Sequence, residues 1–499
     1  MYSPNNAPAA DVSPVRLSYV AALRGIKPRA PRSPFTYAQV VSRDMQSFIC
    51  LAASNPEGSF YGLMPDKEAA LKAARYAELW QVSNVTFLAE DFANFSNALI
   101  ALPLLNYLVC DQVGTSFAEA GKEAFYDLAA KKLAPNGLLS IRYRIAPAAG
   151  DVLNFLVGEF APEMDVDQAK EFLQEIKDLG PLYFADHPLA LASLERAIAQ
   201  GLPDEFFSSV STGEKPVSGT FNNMEALLTR GFTFVGDADV GANYMELVTP
   251  ATAHDVLTAC RDHLLYEPIK DFAIQRLERN DIWCRLPVEQ SADAVELYGG
   301  FTYGITALRE QVPAEITAHG KRIDLSMPPF DKLIDLMTTL PMGIGDFLNH
   351  PNGQGVNPAD AVAAIHILVA TGVARPMRSR YPGLVETQLS RPRWSVSFNR
   401  YLEAMSITSS RVLLASPIVG GVVSLSARDA FVIQAISRVG LDLSVSALLM
   451  ELQRIVHDPA LAAQVMDVVE PTPELARNII QDVVGKSISR WYAYGLLAA

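Results

Sequence analysis

Between residues 35 and 143 the chain alternates two textures. Short runs at 35–41, 59–63, 85–88, 107–110 and 138–143 are rich in apolar and β-branched residues and have the length of strands. Between them lie segments at 46–53, 67–80 and 117–132, where alanines and other apolar residues recur at helical spacing with charges on the remaining positions. The fourth run is entered through the apolar segment 99–105. The helix at 117–132 meets a stop signal in Ala134-Pro135-Asn136-Gly137. Strands that alternate with helices predict a parallel sheet covered on both faces. Ahead of this unit, residues 1–34 are rich in Pro, Ala and Ser, with one helical stretch at 14–23, and predict an arm lying across a folded body.

Beyond about residue 150 the helical period dominates. Segments 165–177 and 188–199 carry apolar positions at i, i+3 and i+4, and 220–235 reads as a helix followed by the strand FTFV. Segments 250–265 and 268–280 read as further helices. A charged run such as 271–285 ordinarily marks a solvated helix face. Here Phe272, Ile274, Leu277, Ile282 and Trp283 interrupt it, which predicts one side buried against a neighbouring unit. Helices at 330–340, 345–348 and 358–372, followed by VARPM, give the outline of a winged helix. Residues 395–499 mix strand-like runs with helices at 427–437, 445–456 and 472–492, and Ser416-Pro417 with Gly420-Gly421 predicts a hairpin or tight bend.

Composition narrows the function classes. A net charge of -14 over 499 residues disfavours a dedicated nucleic-acid binder, which needs a basic stripe. The four cysteines, Cys50, Cys110, Cys260 and Cys284, are scattered without a C-x-x-C pair, and the seven histidines form no H-x-H or H-E-x-x-H pattern. Neither a metal site nor a disulfide framework is expected. The first residues lack a basic, apolar leader, and no apolar run approaches the ~20 residues that span a bilayer. The expectation is a cytoplasmic protein with no membrane insertion.

The stretches NPEGSFYGL, NVTFLAEDF and KKLAPNGLLSIRY resemble the corresponding parts of class I S-adenosylmethionine-dependent methyltransferases. They are most similar to bacterial members that carry a methyltransferase regulatory domain, the group that includes lysine methyltransferases of rickettsial outer-membrane proteins. GLPDEFFSSV, RGFTFVGDADV and DFAIQRLERNDIWCR resemble the regulatory domain, and FNRYLEAMSI and LLASPIVGGVVSL its C-terminal region. The resemblance implies an α/β fold in five parts. An N-terminal arm (1–34) precedes a Rossmann-like methyltransferase domain (35–150). A mainly helical regulatory or dimerisation domain (151–290), a helical and winged-helix-like middle domain (291–390) and a mixed α/β C-terminal domain (391–499) follow.

It also implies S-adenosylmethionine as cofactor, and here the chain departs from the family. The acid-and-glycine motif of the first turn is matched by Gln39 to Met45 (QVVSRDM), so Gln39, Val41, Arg43 and Met45 stand where an acid and glycines belong. Glycines there let backbone approach the ligand. Met64 replaces the acid that takes the ribose hydroxyls, with Asp66 two positions on. Cys110 begins the segment where the family has a histidine and glycine, and Phe117 falls near a later tryptophan. On the pocket rim, Tyr143 and Pro147 remain from the family's Y-N-x-x-P-G-W segment, with Arg144 in place of the asparagine. Glu90-Asp91-Phe92 still resembles the adenine-contacting segment, and a shifted loop would let Asp66 or Asp44 reach the ribose.

The expectation is a pseudoenzyme with no catalytic residues of its own and no bound S-adenosylmethionine. It would be a homodimer, or a heterodimer with an active methyltransferase relative. The alternative is an active protein lysine methyltransferase with an atypical pocket and a cell-surface protein as substrate. A third reading, an anion held by Arg43, Arg142 and Arg144, stays open. His366, in AVAAIHILVA, is expected to pack in a core or interface. Gly343-Ile344-Gly345-Asp346-Phe347 reads as a helix-joining turn, and Tyr266, Tyr298, Phe301, Tyr303 and Trp491 read as core.

Overall fold

The computed structural model describes residues 12–30, 32–41, 44–111, 113, 117, 119–145, 166–178, 191–192, 194–195, 198–199, 220–249, 251–260, 266–274, 276, 278–318, 321–378, 393–401, 411–439, 444–455, 465 and 471–498. The first strands and helices follow the hydrophobic pattern closely: α1 Pro14–Leu23, β1 Phe35–Val40, α2 Met45–Ala53, β2 Gly58–Met64, α3 Lys67–Leu79, β3 Val85–Ala89, α4 Ser96–Ala101, β4 Leu105–Cys110, α5 Glu119–Lys132 and β5 Leu133–Arg144. Local chemistry fixes the helix starts. Ser13 caps α1 ahead of Pro14, and Asp66 caps α3 by accepting the Ala69 amide at 2.7 Å.

Five strands run parallel, each paired in register with its neighbour; Tyr37 of β1, for example, lies between Phe60 of β2 and Tyr107 of β4. The sheet does not end at β5. After α6 (Val166–Asp178) and α7 (Thr220–Thr229) comes β6 (Phe232–Asp237). Helix α8 (Tyr266–Ala273) then leads into β7 (Glu278–Arg285). Strand β7 inserts between β5 and β6, antiparallel to both, so the order is β3-β2-β1-β4-β5-β7-β6. The sheet therefore runs across the boundary expected near residue 150.

The helix expected at 268–280 is corrected. It stops at Ala273, and the charged residues that follow form a strand buried on both faces. Arg279 and Asp281 pair with each other and Asn280 accepts the Ser140 hydroxyl, so the charged pair marks a buried ion network rather than a solvated face.

Two cores flank the sheet. One joins Ala38, Val40, Leu108 and Ile141 to Phe95, Phe125, Leu227 and Trp283 under α4, α5 and α7. The other, much larger, joins Val20 of α1, Ile49 of α2 and Ala73 of α3 to the C-terminal half without a break. That half contains α9 (Ala294–Tyr298), β8 (Thr302–Gly304), the hairpin β9 (Glu315–Ala318) and β10 (Lys321–Asp324), α10 (Phe330–Met337), α11 (Ile344–Asn349), α12 (Pro358–Ala370) and β11 (Arg375–Met377), which pairs with β8. The Gly343 turn joins two helices: its amide is capped by the Asp346 carboxylate at 2.9 Å. Next come β12 (Arg393–Trp394), the hairpin β13 (Arg411–Ser416) and β14 (Gly421–Ser426), α13 (Ala427–Val439), α14 (Val445–Ile455), α15 (Pro473–Ile479), α16 (Gly485–Ala493) and β15 (Leu497–Ala498). The bend read at Ser416–Gly421 is this hairpin. His366 packs edge-on against Tyr298 and Tyr19, with ring centroids 4.7 and 5.9 Å away, and Phe301, Tyr303 and Trp491 are buried.

Candidate functional site

The parallel strands end on a common edge. The order reverses between β1 and β4, and an open α/β sheet takes its ligand in the crevice beyond the strand ends at such a point. The structure brings most of the residues singled out from the sequence to this edge. Gln39 sits on β1, half-buried, and accepts the Tyr37 hydroxyl at 3.1 Å. Val41, just past β1, is buried and donates its amide to Leu63 at 2.9 Å. Met64 closes β2 and is 6% exposed. Cys110 closes β4; burial pushes its thiol well above the ordinary range. Arg144 closes β5, half-buried, opposite Glu278 of β7. Arg43 and Pro147 lie outside the described residues.

The acids at this edge act as helix and turn caps. Asp44 accepts the Ser47 amide at 2.9 Å, and also the Ser47 hydroxyl, at the start of α2, whose first residue is the half-buried Met45. Asp66 caps α3. Asp91 accepts the Ala93 amide at 2.9 Å and the Asn94 side chain at 2.6 Å. Glu90, 2% exposed, accepts the amides of Asp91 and Asn97 at 3.1 and 3.3 Å and that of Ala98.

Beyond β3 and β4 four phenylalanine rings close on one another as part of the core under α4 and α5. Phe92 stacks on Phe95 at 5.5 Å. Phe117 stands edge-on to both at 5.4 and 5.3 Å, and Phe125 lies beneath at 5.7 and 5.5 Å from Phe95 and Phe117. Gly121 makes this closure feasible: a Cβ there would stand 2.4 Å from the Phe92 carbonyl oxygen. Their spacing, Phe92, Phe95, Phe117 and Phe125, was visible in the sequence, but only the fold shows that the rings converge.

Tyr143 does not face a rim. It is fully buried, and its hydroxyl donates to Asp281 at 2.6 Å. Asp281 in turn accepts Arg279 at 2.7 Å. Arg279, with no exposed surface, also reaches Glu267 at 2.8 Å and Asp271 at 2.8 Å. Lys270 pairs with Glu267 at 2.8 Å, and Arg276 with Asp237 at 2.7 Å. The network ties β5, β6, β7 and α8 together beside the crevice. Burial, with Asp237 nearby and against the pull of Arg279, raises the Asp281 carboxyl to about 6. Arg142 is committed as well, to Glu278 at 2.5 Å and Asp111 at 3.4 Å, which leaves the anion reading without one of its three arginines. A cavity of about 20 Å³ among Ser18, Ile26, Arg29, Asn106 and Tyr107 lies at the opposite, amino-terminal end of β4. Among the described residues no group of histidine, cysteine and acid side chains is placed to hold a metal ion, and no helix is long and apolar enough to cross a membrane.

Comparison with known proteins bears on this arrangement. The chain is similar over 100% of its length, and of the other's, to the structure of PKMT2 from Rickettsia typhi in complex with AdoHcy, with a TM-score of 0.70 and 14% identity. A second structure of PKMT2 from Rickettsia typhi gives a TM-score of 0.68 at 15% identity, covering 97% of this chain and 98% of that one. The fold is that of a class I methyltransferase. Residues 220–285 match the family described as predicted methyltransferase regulatory domain. In this methyltransferase fold they are α7, β6, α8 and β7, so the matched segment supplies the last two strands of the sheet and the ion network. No curated protein matches the chain.

Proposed function

We propose that this methyltransferase-fold chain does not hold S-adenosylmethionine and serves protein methylation as a regulatory or partner subunit, as a homodimer or beside an active relative. The observation that supports the reading is that the described side chains at the strand ends leave the usual cofactor contacts unmade. S-adenosylmethionine requires close backbone approach at the first turn, a carboxylate for the ribose diol, and a slot for adenine. Val41 is buried at that turn, and Asp44 already takes the Ser47 amide at the start of α2, where a ligand's own carboxylate would otherwise be welcome. Met64 offers the ribose nothing. Losing a charged hydrogen bond there costs about 1.5–3 kcal/mol, or roughly 10- to 150-fold in affinity. The nearest substitutes, Asp44 and Asp66, are helix caps, and pulling either away forfeits ~1 kcal/mol of helix stability. The four phenylalanines pack on one another next to the ends of β3 and β4, which favours the reading. Calorimetric titration with S-adenosylmethionine tests the reading: absence of saturable heat supports it, and a micromolar isotherm removes it.

A second reading is an active protein lysine methyltransferase with an atypical pocket. It is favoured by the full-length likeness to PKMT2, which was solved with AdoHcy. S-adenosylmethionine would supply the methyl group, and the residues at the strand ends would position an acceptor amine and exclude water. Incubation with radiolabelled S-adenosylmethionine and a cell-surface protein fraction distinguishes the two, since only the enzyme labels protein.

A further inference from the structure

In an open α/β sheet the helix after the first strand ordinarily has a solvent-facing side. Here α2 is enclosed: Phe48, Ile49, Cys50, Leu51 and Ala52 are all buried, because β13 and β14 pack on the side away from the sheet. The contact is polar at both ends of the helix and apolar between.

At the C-terminal end, two side chains with almost no exposed surface, Ser54 and Asn55, reach the tip of the hairpin. Ser54 Oγ accepts the Ser416 amide at 3.0 Å and shares its proton between the Cys50 and Gly421 carbonyls at 2.9 and 3.0 Å; Asn55 Nδ2 donates to the Gly420 carbonyl at 3.1 Å. Arg378 secures the same corner, with Glu57 at 2.5 Å and the Pro417 carbonyl at 3.0 Å. Gly420 has φ +69, and a Cβ on it would stand 2.8 Å from Arg378 Cβ, so the tip is shaped to admit that arginine.

At the N-terminal end, the Gln46 side chain hydrogen-bonds the Tyr401 hydroxyl, which donates to the Leu413 carbonyl of β13 at 2.8 Å. Tyr401 and Phe398 also grip Trp80 at the end of α3, with ring centroids 5.9 and 5.3 Å away. Asn399 ties this turn back to β13 through two hydrogen bonds with Ala415, at 2.9 and 2.7 Å.

We propose that residues 393–401 and 411–426 form a clamp that sets the position of α2 and of Asp44 at its start, on the edge of the crevice. Helix α2 starts at the crevice edge, and moving its first turn moves Asp44 and the Ser47 amide it caps. The clamp and the crevice edge are thereby linked: loosening the hairpin loosens the start of α2, and fixing the start of α2 tightens the hairpin. The proposal rests on the fold and on these contacts, and stands whether or not S-adenosylmethionine binds.

Amide hydrogen exchange on the full chain tests it without a ligand. In Tyr401→Phe, which keeps the ring packing on Trp80 but loses both hydrogen bonds, exchange at residues 46–50 should rise by about five- to tenfold while β4 and β5 keep their protection. Glu57→Gln, which weakens the other end, should shift the same amides in the same direction by a smaller factor. Unchanged exchange at 46–50 in both variants overturns the clamp. Equal acceleration across β4 and β5 also overturns it, because the contacts would then be ordinary packing. Failure here leaves the cofactor question untouched, since a titration answers that independently.

Discussion

Asp281→Asn is expected to make the protein more stable at neutral pH. The buried network holds the cations Lys270, Arg276 and Arg279 against the carboxylates Asp237, Glu267, Asp271 and Asp281, so one negative charge is in excess when all are ionised. Asp281 carries that excess, its carboxyl raised to about 6 by burial and by Asp237. A carboxyl whose folded value exceeds its unfolded value of ~3.9 binds its proton more tightly in the native state. The stability it adds is present below about pH 4 and is lost as pH rises through about 6. From the ordinary carboxylate range to about 6 this amounts to about 3 kcal/mol.

Asparagine keeps the neutral form at every pH, turning its oxygen to Arg279 and its amide to the Tyr143 hydroxyl. The variant should match wild type near pH 4 and exceed it by up to about 3 kcal/mol at pH 7.5. The assay is urea denaturation of both proteins at half-unit steps from pH 4 to 8, read as the difference between them at each pH. Using the difference removes other titrations, above all that of His366, which runs the opposite way. A variant weaker than wild type by several kcal/mol at pH 7.5 would refute the reasoning, because Asp281 would then be a stabilising anion whose pairing with Arg279 outweighs its burial.

Arg279→Met should be severe, because it leaves Glu267, Asp271 and Asp281 buried without their shared cation. A loss of about 3–5 kcal/mol is expected, visible as a lower unfolding midpoint in scanning calorimetry. Tyr494→Phe removes a hydroxyl that donates to the Met337 carbonyl at 2.6 Å, with the Ile305 carbonyl a second acceptor for the same proton at 2.9 Å, and accepts the Ile305 amide at 3.0 Å. It should cost about 1–3 kcal/mol in denaturant titration at any pH from 6 to 8. Burial lowers the His366 imidazole to about 4. Its neutral form is therefore favoured in the fold, and stability falls as pH drops from about 6.5 toward 4; His366→Phe should lose that acid sensitivity in the same titration.

The first half of the sheet was legible because buried parallel strands are short, continuous apolar runs separated by periodic helices. The 35–41 run and the 67–80 helix needed no tertiary knowledge, whereas the strand read from 138 starts at Leu133, so the residues read as a helix stop lie within it. Strand β7 was not legible. Its sequence ERNDIWCR has the composition of a helix, and nothing local shows that Arg279 and Asp281 satisfy each other and Tyr143 inside the fold. Tyr143 was read as a rim residue for the same reason: its partner is 138 residues away. At the crevice the replaced positions could be named from the sequence, and the structure gathers Val41, Met64 and Cys110 on one edge. The turn of Asp44 onto Ser47 and the meeting of Phe92 and Phe95 with Phe117 and Phe125 depended on the fold. The enclosure of α2 was equally hidden, since it joins Asn55 to Gly420 across 365 residues.

The central claim is that the crevice is closed to S-adenosylmethionine by this chain's own residues, and titration of the purified full-length protein with S-adenosylhomocysteine tests it most directly. A variant carrying Val41→Gly, Arg43→Gly and Met64→Asp, which restores glycines at the first turn and an acid for the ribose, serves as the control. The account predicts no saturable heat for the wild type up to high ligand concentration and a measurable isotherm for the restored variant. Saturable one-to-one binding by the wild type at micromolar concentration would contradict it, and the chain would have to be treated as a working methyltransferase.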